Sequence, residues 1–298
     1  MQPLKILFIL NPVAGGKKKT NWEPKIRQHF SKLAHDIEFF VLTGKDDTGS
    51  IQYWLRKFKP DRAVAVGGDG TISMVAKQLL GTNIALGILP GGSANGMAKE
   101  LQIPEKEEEA LEIISEGEMC CCDVVRINEK NICFHLSDLG LNARLIKYFD
   151  EGSLRGMWGY ARLVLKVLWN RNLLNARIVT DDRDIQTKAY MIVIANASKY
   201  GTGAVINPRG RVDDGRFEIV VLRKLSPGQL FRMFLNYKKF NPRAAEIFHT
   251  TKATITTKRD THFQIDGEFK GKVNEVTASI ISSKLNILLT KAEVLAES

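Results

Sequence analysis

Ala63-Val64-Ala65-Val66-Gly67-Gly68-Asp69-Gly70-Thr71 is an apolar run that passes straight into paired glycines, an aspartate and a third glycine. Four consecutive apolar residues predict a strand buried on both faces, as in a parallel sheet. The residues after Thr71, to about Leu80, repeat apolar positions at helical spacing. The string is therefore a strand–loop–helix junction. Ligands bind at the C-terminal ends of parallel strands. There, glycines let the backbone approach phosphate, and the following helix offers free N–H groups and the positive end of its dipole. An acidic residue amid those glycines suits a Mg²⁺ ion bridging phosphates. A lone pair of glycines would signify only a tight turn.

Two further loops of the same composition lie on either side. Asn11-Pro12-Val13-Ala14-Gly15-Gly16 follows the apolar run Ile6–Leu10. Leu89-Pro90-Gly91-Gly92-Ser93-Ala94-Asn95-Gly96 follows Ile84–Leu89. With Ile37–Leu42 they make four predicted strands, three of which end in paired glycines. Chance turn chemistry explains one such loop easily and three poorly. Helical patterns at about Trp22–Leu33, Thr48–Phe58, Thr71–Leu80 and Pro104–Ser115 separate or follow the strands, and a short helix is expected from the third loop to Leu101. Alternating strands and helices predict a Rossmann-like parallel sheet. The P-loop pattern fails, because Gly16-Lys17 is followed by Lys18 and the residue five before Gly16 is Asn11. No Gly-x-Gly-x-x-Gly follows a strand either.

Beyond Asp123 the pattern changes to short β-prone runs: Val124–Ile127, Ile132–Leu136, Arg177–Thr180, Tyr190–Ile194, Phe217–Leu222, Ala253–Thr257, Val276–Ile281 and Leu285–Leu289. Turn residues punctuate them, which predicts an antiparallel sandwich or barrel. Two helices are expected among these strands, Leu154–Asn172 and one opening at Ser226-Pro227-Gly228-Gln229. The predicted architecture is an α/β domain over 1–124 and an antiparallel β-sandwich domain over 125–298, with the last residues returning to the first domain.

The chain has 298 residues, 44% hydrophobic and 26% charged, with 43 Lys and Arg against 33 Asp and Glu. The resulting +10 suits an anionic partner without choosing one, and the basic residues are scattered except for Lys17, Lys18 and Lys19. Cys120, Cys121, Cys122 and Cys133 have no metal-knuckle spacing and read as buried thiols of a reducing compartment. No apolar stretch approaches the roughly 20 residues a membrane helix needs, and the N-terminus reads as a strand rather than a signal peptide. A cytoplasmic protein with peripheral membrane contact is expected. The Leu154–Asn172 segment, with Trp158, Tyr160 and Trp169 between Arg155, Arg162 and Lys166, is the candidate contact; a helix packed on the sandwich fits it equally.

The ordered set Asn11-Pro12-x-Ala14-Gly15, Gly67-Gly68-Asp69-Gly70-Thr71, Leu89-Pro90-Gly91-Gly92-Ser93-Ala94-Asn95, Asp123, Asp214-Gly215 and Asp266-Gly267-Glu268 resembles the diacylglycerol kinase catalytic-domain family, specifically the bacterial lipid kinases related to sphingosine and ceramide kinases. The resemblance spans nearly the whole chain. It implies a nucleotide domain, a β-sandwich and an active site in the cleft between them, with ATP as phosphoryl donor, Mg²⁺ as cofactor and a lipid hydroxyl at a membrane surface as acceptor. It implies no nucleic-acid partner and leaves the oligomeric state open, a homodimer included. Carried over by position, Asn11, Thr43, Gly67, Gly68, Asp69, Gly70, Thr71, Ile72, Ser73, Ser93 and Asn95 look like nucleotide contacts. Asp69 and Asp123 look like the acidic residues around Mg²⁺–ATP. Glu268 resembles the family's proton acceptor, with Asp266 beside it. Arg211 and Arg216, through carbonyls, and Asp214, through its carboxylate, match a structural Mg²⁺ site.

Without that context Asp-Gly reads simply as a hairpin turn. The family usually has Asn-Asp where this chain has Asn95-Gly96, so one carboxylate near the phosphates is missing. Asp69, as a loop residue, is expected to matter for turnover and little for folding. Two alternatives accompany the lipid kinase. One is an NAD kinase, whose Asn-Glu pair occurs here only as Asn128-Glu129 in a polar turn between two apolar runs, and whose second segment is absent, Gly201-Thr202-Gly203-Ala204 being no convincing substitute. The other is a regulatory module that binds nucleotide without turnover, which Gly96 favours and the presence of Asp69 and Glu268 opposes.

Overall fold

The fold was read from a computed structural model that describes residues 3–15, 21–92, 95–140, 143, 173–196, 199–200, 204–205, 214–223 and 245–290. The chain divides into two compact units, Met1–Cys122 with Ser283–Ser298, and Asp123–Ser282.

The first unit is a parallel sheet. Strands β1 (Lys5–Leu10), β2 (Asp36–Val41), β3 (Arg62–Gly67) and β4 (Ala85–Pro90) lie in the order β2-β1-β3-β4. Leu10 pairs with both Val41 and Val66, and Gly67 pairs with Pro90. The order reverses between β1 and β3, which is where a doubly wound sheet opens a crevice for a ligand. The apolar runs are what the sheet interior demands: Ile6, Leu7, Phe8 and Ile9 are all fully buried, each stabilising the fold by about 1.5–3 kcal/mol. Phe8 meets the edge of Phe30 and stacks on Phe39.

Helices cover the sheet as their periodicity requires. α1 (Trp22–Phe30) buries Trp22, Ile26 and Phe30, four residues apart. α2 (Asp47–Phe58) is capped by the Asp46 carboxylate, which accepts from the Gly49 N–H. α3 (Asp69–Leu79) buries Thr71, Ile72, Val75, Ala76 and Leu79. It starts two residues before the predicted Thr71, so Asp69 and Gly70 belong to its first turn. α4 (Gly96–Glu100) is a single short turn after the third loop. α5 (Glu107–Glu116) carries Glu107, Glu108 and Glu109 in its first turn. The predicted start at Pro104 is three residues early, and Glu105 precedes the helix.

The second unit is antiparallel. Its strands are β5 (Glu118–Ile127, entering from the first unit), β6 (Asn131–Cys133), β7 (Leu136–Gly140), β8 (Leu174–Thr180), β9 (Asp184–Ala189), β10 (Met191–Ala195), the two-residue β11 (Lys199–Tyr200) and β12 (Ala204–Val205), β13 (Phe217–Leu222), β14 (Ala245–Thr250), β15 (Lys252–Ile265) and β16 (Glu268–Leu289). The order β14-β13-β10-β7-β15-β16 runs through it, with β8 beside β15 and β9 beside β8. Inward residues such as Val125, Ile178, Ile192, Ile194, Ile219, Val221, Ile255, Phe263 and Val276 form one buried cluster, the core of the sandwich.

Two predicted strands are one: Val276–Ile281 and Leu285–Leu289 both lie in β16, which ends in the first unit beside β4, Ile287 opposite Leu86. Predicted Ile132–Leu136 is instead split between β6 and β7. The helices expected at Leu154–Asn172 and from Ser226 fall outside the described residues. All four cysteines are free, and Cys121 is exposed rather than buried, because alternate residues of β5 point to opposite faces.

Candidate functional site

The three glycine loops meet at the reversal of strand order. The Asn11 N–H donates to the Val66 carbonyl at 2.9 Å, and its side-chain amide donates to Thr71 Oγ1 at 2.9 Å. Asn11 thus ties the first loop to the start of α3. The Gly91 N–H donates to the Gly67 carbonyl at 2.8 Å, joining the second and third loops. The second and third loops touch backbone to backbone, since a Cβ on Gly92 would lie 2.5 Å from Gly68 Cα; a Cβ on Gly67 would meet the Thr71 side chain, 2.5 Å from its Oγ1. Packing alone therefore excludes side chains at Gly67 and Gly92.

Gly70 differs. A Cβ there would meet nothing within 4 Å, and the residue is exposed at the N-terminal turn of α3. Among the described residues no neighbour requires glycine at this position. What a bare backbone offers there is close approach to a ligand at a helix N-terminus. Below the loops, the Trp22 indole N–H is buried without a hydrogen-bond partner among the described residues, and its nitrogen lies 3.6 Å from where a Gly91 Cβ would stand.

Asp69 is built into the loops. Its carboxylate accepts the N–H of Gly96 at 3.0 Å and that of Met97 at 2.9 Å, one on each oxygen. It caps α4 from another element, and so fixes the third loop against the second. The expectation that a loop carboxylate matters little for folding is corrected on this point. Each oxygen still has a lone pair to offer a metal-bound water. Asn95, in left-handed conformation at φ 51°, closes the same loop: its Oδ1 accepts from the Gly92 N–H at 2.8 Å and its amide returns a bond to the Gly92 carbonyl at 3.0 Å. Ile72 is buried in the core under α3, and Ser73 is half-buried on that helix. Ser93 lies outside the described residues.

Thr43 is committed elsewhere. Its N–H and hydroxyl both donate to Asp47 at the start of α2, at 2.8 and 3.1 Å, and the Gly44 N–H donates to the same carboxylate. These bonds, the Thr43 amide first, hold the Asp47 carboxyl below its ordinary value. The sequence reading did not single out Asp47.

In the second unit, Asp266 and Gly267 form the two-residue turn between β15 and β16, with φ 48° and 84°, and Ile265 pairs with Glu268 across it. Positive φ at both positions is the hairpin geometry that Asp-Gly favours. The Asp266 carboxylate accepts the N–H groups of Phe134, His135 and Leu136 at 3.0, 2.9 and 3.2 Å. These three bonds anchor the turn to the β6–β7 connection. Burial, and then this carboxylate, push the neighbouring Cys133 thiol well up. The Glu268 side chain is 69% exposed, and its partner among the described residues is Lys270, at 2.8 Å.

Asp123 is 2% exposed and accepts the Gly215 N–H at 2.6 Å; Asn196 donates to its carbonyl at 2.7 Å. Asp214 is exposed and accepts the Arg216 N–H at 3.0 Å. Arg211 lies outside the described residues. Among the described residues no group of three His, Cys, Asp or Glu side chains is placed to hold a metal ion.

Residues 5–127 match the family model of the diacylglycerol kinase catalytic domain, and residues 137–289 match that of the YegS C-terminal NAD kinase beta sandwich-like domain. The chain belongs to the diacylglycerol kinase catalytic-domain family. It is similar to the "Probable lipid kinase YegS-like" of Pectobacterium atrosepticum, 27% identical over 274 residues and 88% of each chain. It is similar to a diacylglycerol kinase of Staphylococcus saprophyticus, 23% identical over 276 residues and 89% of each chain. A diacylglycerol kinase structure from Bacillus anthracis shares the fold, with a TM-score of 0.74 at 18% identity over 98% of this chain and 99% of that one.

Gly96 stands at the position where the resemblance led to the expectation of a carboxylate. Its N–H is what Asp69 binds, so an aspartate there would set a second carboxylate beside the first. The Asn128-Glu129 pair, the residue signature of the NAD kinase alternative, is a hairpin turn with φ 47° and 59°. Asn128 accepts the Thr277 N–H at 2.8 Å and donates its own N–H to the Thr277 carbonyl at 2.9 Å. The asparagine is spent on strand pairing. Among the described residues no helix is long and apolar enough to cross a membrane.

Proposed function

We propose that this chain is an ATP-dependent lipid kinase that transfers the γ-phosphoryl group to a lipid hydroxyl of the diacylglycerol or sphingoid type. One observation carries the reading: three glycine loops converge at the strand-order reversal and leave Gly70, at a helix N-terminus, bare for no packing reason. Names of similar proteins support a lipid acceptor. Phosphoryl transfer needs positioning and charge neutralisation more than covalent chemistry. The loops' backbone N–H groups would hold the phosphates, with Asn11, Thr71 and Asn95 fixing the loops.

Mg²⁺ bound with ATP would neutralise phosphate charge. It keeps several waters and needs only one or two carboxylates, which suits Asp69 with its remaining lone pairs. Glu268 takes the proton of the acceptor hydroxyl; the oxygen bonds to Pγ as the bond from Pγ to the ADP oxygen breaks, and ADP leaves. Asp266 serves as the anchor of that glutamate's hairpin. Asp214, Arg211 and Arg216 would form the family's structural Mg²⁺ site. The acceptor is met at a membrane surface by peripheral contact, with 154–172 as the candidate segment.

The test is phosphorylation of a lipid extract with labelled ATP, products read by mass spectrometry. Mg²⁺-dependent labelling of a hydroxyl lipid, lost in EDTA and in Asp69→Ala, is expected. Labelling that persists in EDTA refutes the mechanism. A native chain that is inactive while Gly96→Asp is active shifts the reading to a regulatory nucleotide-binding module.

A further inference from the structure

Asp138 and Gln264 are fully buried, face each other in register on β7 and β15, and are hydrogen-bonded to one another. The chain of bonds continues at both ends. The Ala143 N–H donates to the other oxygen of Asp138 at 2.9 Å, and the Gly267 N–H donates to Gln264 Oε1 at 2.7 Å. Ser137 fixes the backbone at the same point, its hydroxyl donating to the Gln264 carbonyl at 2.6 Å. The far end of this buried strut is thus the second residue of the Asp266-Gly267 turn, one residue before Glu268.

Burying a carboxylate and an amide among apolar strands is not the stable choice. A well-packed apolar pair of similar volume is often at least as stable. What the polar pair adds is direction. An ionised Asp138 can only accept, and the Gln264 amide nitrogen faces it while Oε1 faces the turn. The turn is then held from two sides, Gly267 by Gln264 and Asp266 by the β6–β7 amides, while the Glu268 carboxylate stays exposed. A fixed backbone under an exposed carboxylate is what a proton acceptor needs, since small displacements are costly in transfer chemistry.

We infer that Asp138 and Gln264 are positioning residues that set the hairpin carrying Glu268; the inference rests on Glu268 as proton acceptor. Polarity makes it testable. In Asp138→Asn or Gln264→Glu, one step of the chain meets donor with donor or carboxylate with carboxylate. The double variant Asp138→Asn with Gln264→Glu restores every step: the introduced asparagine would accept from Ala143 and donate to the introduced glutamate, which would accept from Gly267. The full-length protein is assayed on one lipid mixture, with kcat, the KM for ATP and thermal melting recorded.

Each single variant should lower kcat about tenfold or more with the KM for ATP nearly unchanged, and the double variant should recover most of it, a strongly non-additive pair. The apolar pair Asp138→Leu with Gln264→Met guards against misfolding. It should stay folded with a cooperative melt only a few degrees lower, since the Ala143 N–H is left without its acceptor, and still lose kcat, because Gln264 no longer holds the Gly267 N–H. Wild-type kcat in the folded singles or the apolar pair, or no recovery in the swap, overturns the strut while Glu268→Gln remains impaired. Full turnover by Glu268→Gln overturns the base itself.

Discussion

Gly70→Ala separates the two reasons a loop can contain glycine. At this site the added methyl meets open space, and the residue sits in the first turn of α3. Within a helix, alanine is favoured over glycine by about 0.5–1 kcal/mol, and the terminal position places this case toward the lower figure. For a protein of this size that is a rise in melting temperature of roughly 1–3 °C. The ligand sees the opposite. A methyl in the space of a phosphate oxygen removes at least one charge-assisted hydrogen bond, worth about 1.5–3 kcal/mol. ATP affinity should fall about 10- to 150-fold. Gly92→Ala is the contrast: its methyl would lie 2.5 Å from Gly68 Cα, so it should lose stability together with binding. Calorimetric melting and titration with a non-hydrolysable ATP analogue read both quantities. Gly70→Ala with a raised melting temperature and unchanged affinity refutes the argument that the bare backbone faces the nucleotide.

Asp69→Ala should cost about 0.5–2 kcal/mol of stability as well as turnover, because it orphans the Gly96 and Met97 amides; denaturant melting that matches wild type counts against the cap. Gly96→Asp should lower the Mg²⁺ concentration for half-maximal rate, since a second carboxylate beside Asp69 favours a cation; an unchanged Mg²⁺ titration removes position 96 from the metal's surroundings. Asp47 is held below its ordinary value, first by the Thr43 amide, so its stabilisation is present above about pH 4 and lost as pH falls through the lowered value. The stability gap between wild type and Asp47→Asn should therefore close in strong acid, and a gap that stays constant from about pH 7 to about pH 2 refutes the assignment.

The parallel sheet was legible because full burial on both faces leaves little besides apolar runs, and Phe217–Leu222 was legible for the same reason. β9, Asp184–Ala189, was not: its burial alternates and its sequence, Asp-Ile-Gln-Thr-Lys-Ala, puts only Ile185, Thr187 and Ala189 inward. The unbroken β16 was also hidden, since Ser282-Ser283-Lys284 carries the polar character of a turn. At the site, the sequence located the glycine loops but not their mutual contacts. That Gly92 is required by the Gly68 backbone and Gly67 by the Thr71 side chain, while Gly70 is required by neither, depends on contacts that no local pattern encodes. Asp138, Gln264 and Asp47 left no signal either, because a buried polar residue is recognisable only by what it faces.

The acidic residues picked out by motif divide by what holds them. Asp69 and Asp266 each accept backbone N–H groups from a segment distant in sequence, Asp69 from Gly96 and Met97, Asp266 from Phe134 to Leu136. Among the described residues Glu268 accepts from Lys270, an exposed pair worth at most about 1 kcal/mol. A carboxylate that organises loops gains from being bound, because each amide it accepts fixes one more backbone segment. A carboxylate that must take a proton has to present a free oxygen, so its positioning must come through the backbone rather than the side chain. Asp-Gly-Glu meets both demands in three residues: the aspartate anchors, the glycine turns, and the glutamate is left exposed. The turn reading and the catalytic reading of that tripeptide are therefore compatible, and the hairpin is the means by which a flexible, solvent-facing side chain can start from a fixed point.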